Sequence, residues 1–129
     1  QAKIGLENIG NILNNDDRRI SFAKTHIKQI GISHFAKGVE GAHNVFWQLP
    51  IKTNNAEKFH NSLRSNGVDS ALSSLQLISS LTDYPGATEL PNASVIFNHR
   101  LFIPCYAYLK ESDLKIISSA CISAIAVTD

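Results

Sequence analysis

The chain has 129 residues, 43% of them hydrophobic, and a formal net charge of +1 at pH 7. This length suits one domain, and the hydrophobic content is enough for a buried core, which excludes a disordered tail. The weak, scattered charge gives no reason to expect nucleic acid or an anionic membrane as a partner. No apolar run approaches the roughly 20 residues that cross a bilayer. We therefore expect a cytoplasmic protein.

The first thirty residues have the pattern of a long helix. Apolar residues recur at spacings of three and four between Ile9 and Ile30, and Gly31 is the expected stop because glycine readily adopts a positive φ. The chain contains no methionine and opens directly into helical pattern at Gln1. We take these two features as signs that the chain is a fragment of a longer protein.

A turn at residues 38–41 and a strand at residues 45–51 are predicted next. The strand's alternation places Val45, Trp47, Leu49 and Ile51 on one face. Trp47 is expected to be a large buried anchor, and the alternative is that it is a platform for stacking. Pro50 cannot donate a ladder hydrogen bond, so it predicts an edge strand or a strand end.

A capped helix is predicted directly after this strand. Asn54 is the expected cap, with Glu57 three residues later in capping-box register. Phe59 and Leu63 form the inward stripe, and Gly67 ends the helix.

The secondary structure at the start of the second half of the chain is harder to predict. Residues 68–81 fit neither the helical nor the strand period, and residues 82–90 read as a loop around a Pro-Gly pair. Pro91 suits the first turn of a short helix. A short buried strand at residues 101–103 and a last helix from about Glu111 complete the pattern.

The last helix is apolar nearly all round. Its inward stripe is predicted to hold Leu114, Ile117, Cys121 and Ala124, and further apolar residues lie off that stripe at Ile116, Ile122, Ile125 and Val127. Such a helix is normally covered on more than one side, so we expect a neighbouring domain or subunit. The predicted fold is a two-layer α+β small domain spanning residues 1–129, with a small sheet packed against the long N-terminal helix and the C-terminal helix.

Several short motifs, each weak alone, follow one another along the chain: QAKIGL at residues 1–6, RR at 18–19 with Ala23, GV at 67–68, LPNA at 90–93 and RLFIP at 100–104. In this order they resemble the carboxy-terminal small domain of the DegT/DnrJ/StrS sugar aminotransferases. In that family a "QAAiGL" run opens a long helix that continues into "RR…A", a strand and helix lead to a "GI" pair, and "LPnA…r.l.iP" precedes an "L…D…I" helix. The matching stretches here are residues 1–6, 18–23, 45–51, 54–68, 90–104 and 109–117.

The resemblance implies a parent enzyme that depends on pyridoxal phosphate and transfers an amino group to a keto-sugar, usually one attached to a nucleotide. In the family, a large amino-terminal domain binds the cofactor through a lysine in an "SFxxxK" setting. The small domain covers one side of the cleft and contributes to a homodimer. We therefore expect pyridoxal phosphate in the intact parent and none bound to this chain, which alone is predicted to be inactive.

The cofactor lysine has no counterpart in this chain. Residues 21–24 (Ser-Phe-Ala-Lys) are similar to the motif, but Lys24 comes two residues too early and falls within the long helix. We expect Lys24 to be an ordinary surface lysine. The five histidines lack metal-ligand spacing, so no catalytic, cofactor-binding or metal-binding residue is predicted.

Two stretches are candidates for contact with substrate. After the "GI" pair many family members carry a histidine–tyrosine pair that reaches the cleft, and Ser73 and Ser74 occupy the matching positions here. The alternative is that both are plain surface or strand serines. His99 and Arg100 precede the last strand and could hold an anionic group, or Arg100 could simply pair with an acidic neighbour.

Two other classes of function stay open on the sequence. One is a non-catalytic binding or oligomerisation domain that docks a partner through the apolar last helix. The other is a small hydrolase that uses Cys105 as nucleophile with a histidine. Cys105 and Cys121 both fall at predicted core positions, so inert buried thiols are the main expectation.

Overall fold

A computed structural model describes residues 2–35, 42–73, 77 and 91–128. Within them the predicted elements occur in the predicted order, joined by one further short strand, and no helix is long and apolar enough to cross a membrane. The predicted turn at 38–41, the loop at 82–90 and most of the ambiguous 68–81 stretch lie outside the described residues. The elements are α1 (Ala2–Ile30), β1 (Leu49–Lys52), α2 (Ala56–Ser65), β2 (Ala71–Leu72), α3 (Pro91–Asn98), β3 (Arg100–Ile103) and α4 (Glu111–Thr128).

The three strands form an antiparallel sheet in the order β1-β3-β2. Leu49 pairs with Ile103 on one side of β3, and Ala71 pairs with Phe102 on the other. Strands β1 and β2 are therefore parallel to each other and joined through α2, with β3 inserted between them, as in split βαβ units. Pro50 lies on the edge strand β1, as predicted.

Helix α1 is buried along only part of its length. In its second half Ala23 is fully buried and Ile30 is 8% exposed, whereas Ile9 and Leu13 in the first half are 62% and 78% exposed. The helix ends where predicted, because Gly31 has φ 111° and its amide donates to the Ile27 carbonyl at 3.0 Å. The first half of α1 thus extends beyond the part of the molecule that it packs against.

Strand β1 starts four residues later than predicted, because the chain turns at Phe46. This residue has φ 49°, a left-handed conformation that a regular strand does not contain, and its amide donates to Asn44 Oδ1 at 2.8 Å. Trp47 follows the turn and is 73% exposed. The prediction that Trp47 is a buried anchor in a strand is therefore wrong.

The cap of α2 is one residue away from its predicted position. Asn55 Oδ1, not Asn54, accepts the hydrogen bond from the Lys58 amide, at 2.9 Å. With Asn55 as cap, the third helical residue is Lys58 and Glu57 is only the second, so the predicted capping box does not form.

The body and the end of α2 follow the prediction. Phe59 and Leu63 are both fully buried. Gly67 has φ 72°, and the Val68 amide donates back to the Leu63 carbonyl at 3.0 Å, which closes the helix as a Schellman-type end.

One core cluster joins the helices to the sheet. Helix α4 packs against both α1 and α2, and its buried residues include the four predicted ones. The cluster connects Ala23 of α1, Leu101 of β3, Phe59 of α2 and Cys121 of α4. The predicted α+β fold with a small sheet is confirmed. On the outer side of α4, Ile116, Ile122 and Val127 are 55%, 49% and 72% exposed.

Candidate functional site

A cavity of about 450 Å³ lies at the end of the sheet where β1 leads into α2. It is lined by residues 54–57, 72–73 and 97–99, and we call it the His99 cavity. The end of β2 and the segment between α3 and β3 reach this same end because β3 runs antiparallel to its neighbours. The fold thereby brings Ser73 and His99, which are far apart in the sequence, to the wall of one cavity.

The His99 ring is fixed by hydrogen bonds to the strand next to it. The Thr53 amide donates to the His99 carbonyl at 3.2 Å, and His99 Nδ1 lies 3.2 Å from the Thr53 carbonyl oxygen. A carbonyl only accepts, so Nδ1 carries the hydrogen and a neutral ring keeps Nε2 as an acceptor. The backbone bond continues the contact between the two segments beyond the last β1–β3 pair, and the ring bond holds the half-buried imidazole at the cavity wall.

The other two candidate residues are placed differently. Arg100 is not among the lining residues, and its guanidinium donates to the His99 carbonyl at 3.0 Å. No carboxylate of the described residues forms an ion pair with it. Ser74 lies outside the described residues. Contact between any of these four residues and a substrate stays a prediction.

The sequence indicated no binding role for the asparagines that line the His99 cavity, and it marked Asn54 only as the expected helix cap. Asn54 and Asn55 come from the start of α2, Asn98 comes from the end of α3, and Glu57 adds one carboxylate. Amides and a hydroxyl offer both donors and acceptors, which suits a neutral polyhydroxylated molecule better than an anion. Their common location depends on the antiparallel placement of β3, which the local sequence pattern does not reveal.

Both thiols are buried, and burial disfavours their reactive thiolate form. Cys105 is 2% exposed and Cys121 is fully buried. Burial raises the pKa of Cys105 to about 11, with Arg19 opposing the shift, and raises the pKa of Cys121 to about 12. Since the thiolate is the nucleophile, neither residue is activated at neutral pH. The prediction that both thiols lie in the core is confirmed, and a hydrolase based on Cys105 is not supported.

Two histidines bond to buried serines and tie elements together. His60 Nδ1 lies 2.7 Å from Ser70 Oγ, linking α2 to the segment before β2. His26 Nδ1 lies 2.9 Å from Ser118 Oγ, linking α1 to α4. Among the described residues no three potential ligands gather into a group that could hold a metal ion.

The described residues do not fit pyridoxal phosphate. A Schiff-base lysine needs an amine held in a protected site beside a cradle for the phosphate. Lys24, which lies in the stretch similar to the family's lysine motif, is exposed on α1. The lysines whose side chains the structure describes are all exposed, namely Lys24, Lys28, Lys52, Lys58, Lys110 and Lys115.

No protein-family model and no curated protein matches the chain. Solved structures do match. DesV from S. venezuelae, determined in complex with a ketimine intermediate, has a TM-score of 0.89 at 14% identity over 100% of this chain and 37% of its own. A sugar aminotransferase from Micromonospora echinospora has a TM-score of 0.81 at 21% identity, covering 93% of this chain and 33% of its own. A DegT/DnrJ/EryC1/StrS aminotransferase from Brucella abortus has a TM-score of 0.79 at 19% identity, covering 93% and 34%.

These likenesses establish the fold. The chain folds like one part of a DegT/DnrJ/EryC1/StrS aminotransferase, and it spans about a third of the length of the solved chains that it matches. The resemblance indicated by the sequence motifs is confirmed at that level.

Proposed function

We propose that this chain is the carboxy-terminal small domain of a cytoplasmic, pyridoxal-phosphate-dependent aminotransferase that aminates a keto-sugar attached to a nucleotide. The observation that carries the proposal is the match of nearly the whole chain to about a third of a sugar aminotransferase and of a DegT/DnrJ/EryC1/StrS aminotransferase. The order of the family motifs along the sequence agrees with that match. In this proposal the cofactor and its lysine belong to a large domain of the same polypeptide.

The exposed first half of α1 supports the proposal that another domain packs against this chain. Ile9 and Ile27, like Ile12 and Ile30, are separated by about five full helical turns and therefore point in the same direction. Ile30 packs into the core, while Ile9 and Ile12 are 62% and 49% exposed. The apolar stripe thus continues along one face beyond the core. The large domain of the parent chain is the surface that would cover it, and the homodimer partner would cover the outer side of α4.

The His99 cavity is the part of this chain that we assign to the substrate. Its amides, the Ser73 hydroxyl and the fixed His99 ring provide hydrogen-bonding groups for sugar hydroxyls. Ser73 stands where many family members carry histidine, so the groups that recognise the substrate differ from the usual set. The small domain would bind and orient the sugar, while the chemistry takes place on the cofactor in the other domain.

The test is made on the full-length protein. The coding sequence upstream of Gln1 is read first, and we expect about two hundred or more residues there, including a lysine in an "SFxxxK" setting. The full-length protein should transfer an amino group from an amino acid to a nucleotide-linked keto-sugar. The 129-residue chain with added cofactor should not.

The role of the cavity is tested in the same assay. His99→Ala should raise KM for the keto-sugar about tenfold and leave KM for the amino donor unchanged, because only the sugar contacts the cavity. The exposed His43 provides the control, since His43→Ala should change neither value. A start codon or an unrelated domain upstream of Gln1 would contradict the whole proposal.

A second candidate function rests on the outer side of α4, where Ile116, Ile122 and Val127 are exposed. A non-catalytic domain that docks a partner through this helix would show the same feature. The upstream sequence separates the two proposals, because this second one requires no cofactor-binding domain.

A further inference from the structure

The indole of Trp47 is held out from the core by a strained turn. A bulky residue such as Phe46 rarely adopts a φ of 49°, and here its amide is fixed by Asn44 Oδ1 at 2.8 Å while its ring packs against the core. Trp47 follows immediately and is 73% exposed. Large aromatic residues are usually buried for most of their surface, and strained backbone tends to occur at functional positions.

Trp47 stands at the wall of a second cavity, at the end of the sheet opposite the His99 cavity. This space of about 180 Å³ is lined by residues 47–48, 69–71 and 102–106, and we call it the Trp47 cavity. The start of β1, the start of β2 and the end of β3 meet here. Its volume is smaller than that of pockets for drug-sized molecules, so it suits one small ring.

The polar side chains that line the Trp47 cavity supply hydrogen-bond donors as well as acceptors. Gln48 and Asp69 are exposed, and Tyr106 is 58% exposed. No ion pair among the described residues involves Asp69. An amide and a phenol each donate and accept, whereas the carboxylate only accepts. A ligand with several hydroxyl groups can use all three side chains.

The buried residues that line the cavity include no side chain that is free to act as a nucleophile. Ser70 is 9% exposed and its hydroxyl is engaged by His60 at 2.7 Å. Cys105 is 2% exposed, and burial raises the pKa of its thiol to about 11. Neither group is free to act as a nucleophile.

We propose that the Trp47 cavity binds a single neutral sugar ring, with the apolar face of the ring against the indole of Trp47 and its hydroxyls bonded to Asp69 and Gln48. Aromatic side chains offer a flat apolar surface, and a sugar ring has one apolar face and a polar rim. A cation could also use the aromatic rings and the carboxylate, but it has no use for the donor groups of Gln48. A sugar therefore matches more of the lining. This site goes beyond the proposed function, and it needs neither the cofactor nor transamination.

The test uses the chain itself, because Trp47 is its only tryptophan. Methyl glycosides of glucose, galactose and N-acetylglucosamine are titrated while tryptophan fluorescence is recorded. At least one should give a saturable change, with a Kd on the order of 1 mM. Asp69→Asn and Gln48→Ala should each weaken that binding by about fivefold or more, at an unchanged melting temperature.

Calorimetry extends the test to the aromatic residue, whose loss removes the fluorescent signal. Trp47→Ala should abolish measurable binding of the same glycoside. Tyr108→Ala is the matched control, because Tyr108 is 84% exposed and does not line the cavity, so binding should persist. The proposal is overturned if no glycoside gives a saturable change, or if Asp69→Asn and Gln48→Ala bind as the parent chain does. A response to tetramethylammonium chloride alone would assign the cavity to cations and overturn it as well.

Discussion

At the scale of single residues, His26 makes the free energy of unfolding depend on pH. Its side chain is fully buried between α1 and α4, with Nδ1 bonded to Ser118. Its Nε2 is buried and has no hydrogen-bond partner among the described residues. Burial lowers the pKa of this imidazole from 6.5 to about 4. The folded protein therefore keeps His26 neutral over a range in which the unfolded chain takes up a proton.

The sign of the pH effect follows from this difference in bound protons. Between pH 6.5 and about 4 the unfolded state holds more protons at this site, so stability falls as the pH falls through that window. The full loss is on the order of 3 kcal/mol. Urea unfolding at a series of pH values measures it. His26→Gln should flatten the slope, although it lowers stability at neutral pH.

The control for this prediction is an exposed histidine. His43→Gln should leave the slope of the parent chain in place, because His43 is exposed. If His26→Gln and the parent chain lose the same free energy of unfolding between the two pH values, carboxylates rather than His26 cause the acid sensitivity.

At the scale of the element, the two adjacent asparagines before α2 are expected to differ in their effect on stability. Asn55 Oδ1 accepts from the Lys58 amide, so Asn55→Ala leaves that donor without its cap and should cost about 1 kcal/mol. Asn54→Ala removes a side chain that does not cap the helix and should cost less. Chemical denaturation of the two variants compares them directly. Equal losses, or a larger loss for Asn54→Ala, would show that the cap had been assigned to the wrong residue.

The elements with strong periodicity could be predicted from the sequence, because a buried stripe constrains residue type at every turn. Phe59 and Leu63 of α2 illustrate this, as both are fully buried. The position of the cap could not be fixed, since two neighbouring asparagines satisfy the same local rule. Trp47 was misplaced because the turn depends on Phe46 adopting a φ of 49°, which its residue type does not suggest.

The candidate site could be predicted only in part. Ser73 and His99 were each identified, one by its place in a family pattern and one by its position before a strand. That they line one cavity with three asparagines depends on β3 lying between β1 and β2. Such an order is set by long-range pairing, and short stretches of sequence carry little information about it.

At the scale of the whole molecule, two isoleucines on one face of α1 test the proposal that a large domain covers the exposed half of this helix. Ile12 is 49% exposed and Ile30 is 8% exposed, and about five full turns separate them. In the 129-residue chain, Ile30→Gln should cost about 2 kcal/mol or more, because it places an amide in the core. Ile12→Gln should change stability by less than about 0.5 kcal/mol.

The same pair behaves differently if the large domain covers the exposed half of α1. In the full-length protein Ile12→Gln should become destabilising, approaching the effect of Ile30→Gln. Thermal unfolding of both variants in both contexts gives the comparison. If Ile12→Gln is harmless in the full-length protein too, the first half of α1 does not pack on the large domain.

The two buried thiols can also be used to measure how often the folded structure opens. Cys105 follows the end of β3 and Cys121 lies within α4, and neither thiol reaches solvent appreciably in the folded state. An alkylating reagent can modify each one only after the surrounding structure separates, so the labelling rate reports the frequency of that event. Equal rates would mean that the sheet and the last helix open as one cooperative unit. A faster rate at Cys105 would mean that the end of the sheet that bears Trp47 opens independently of the helices.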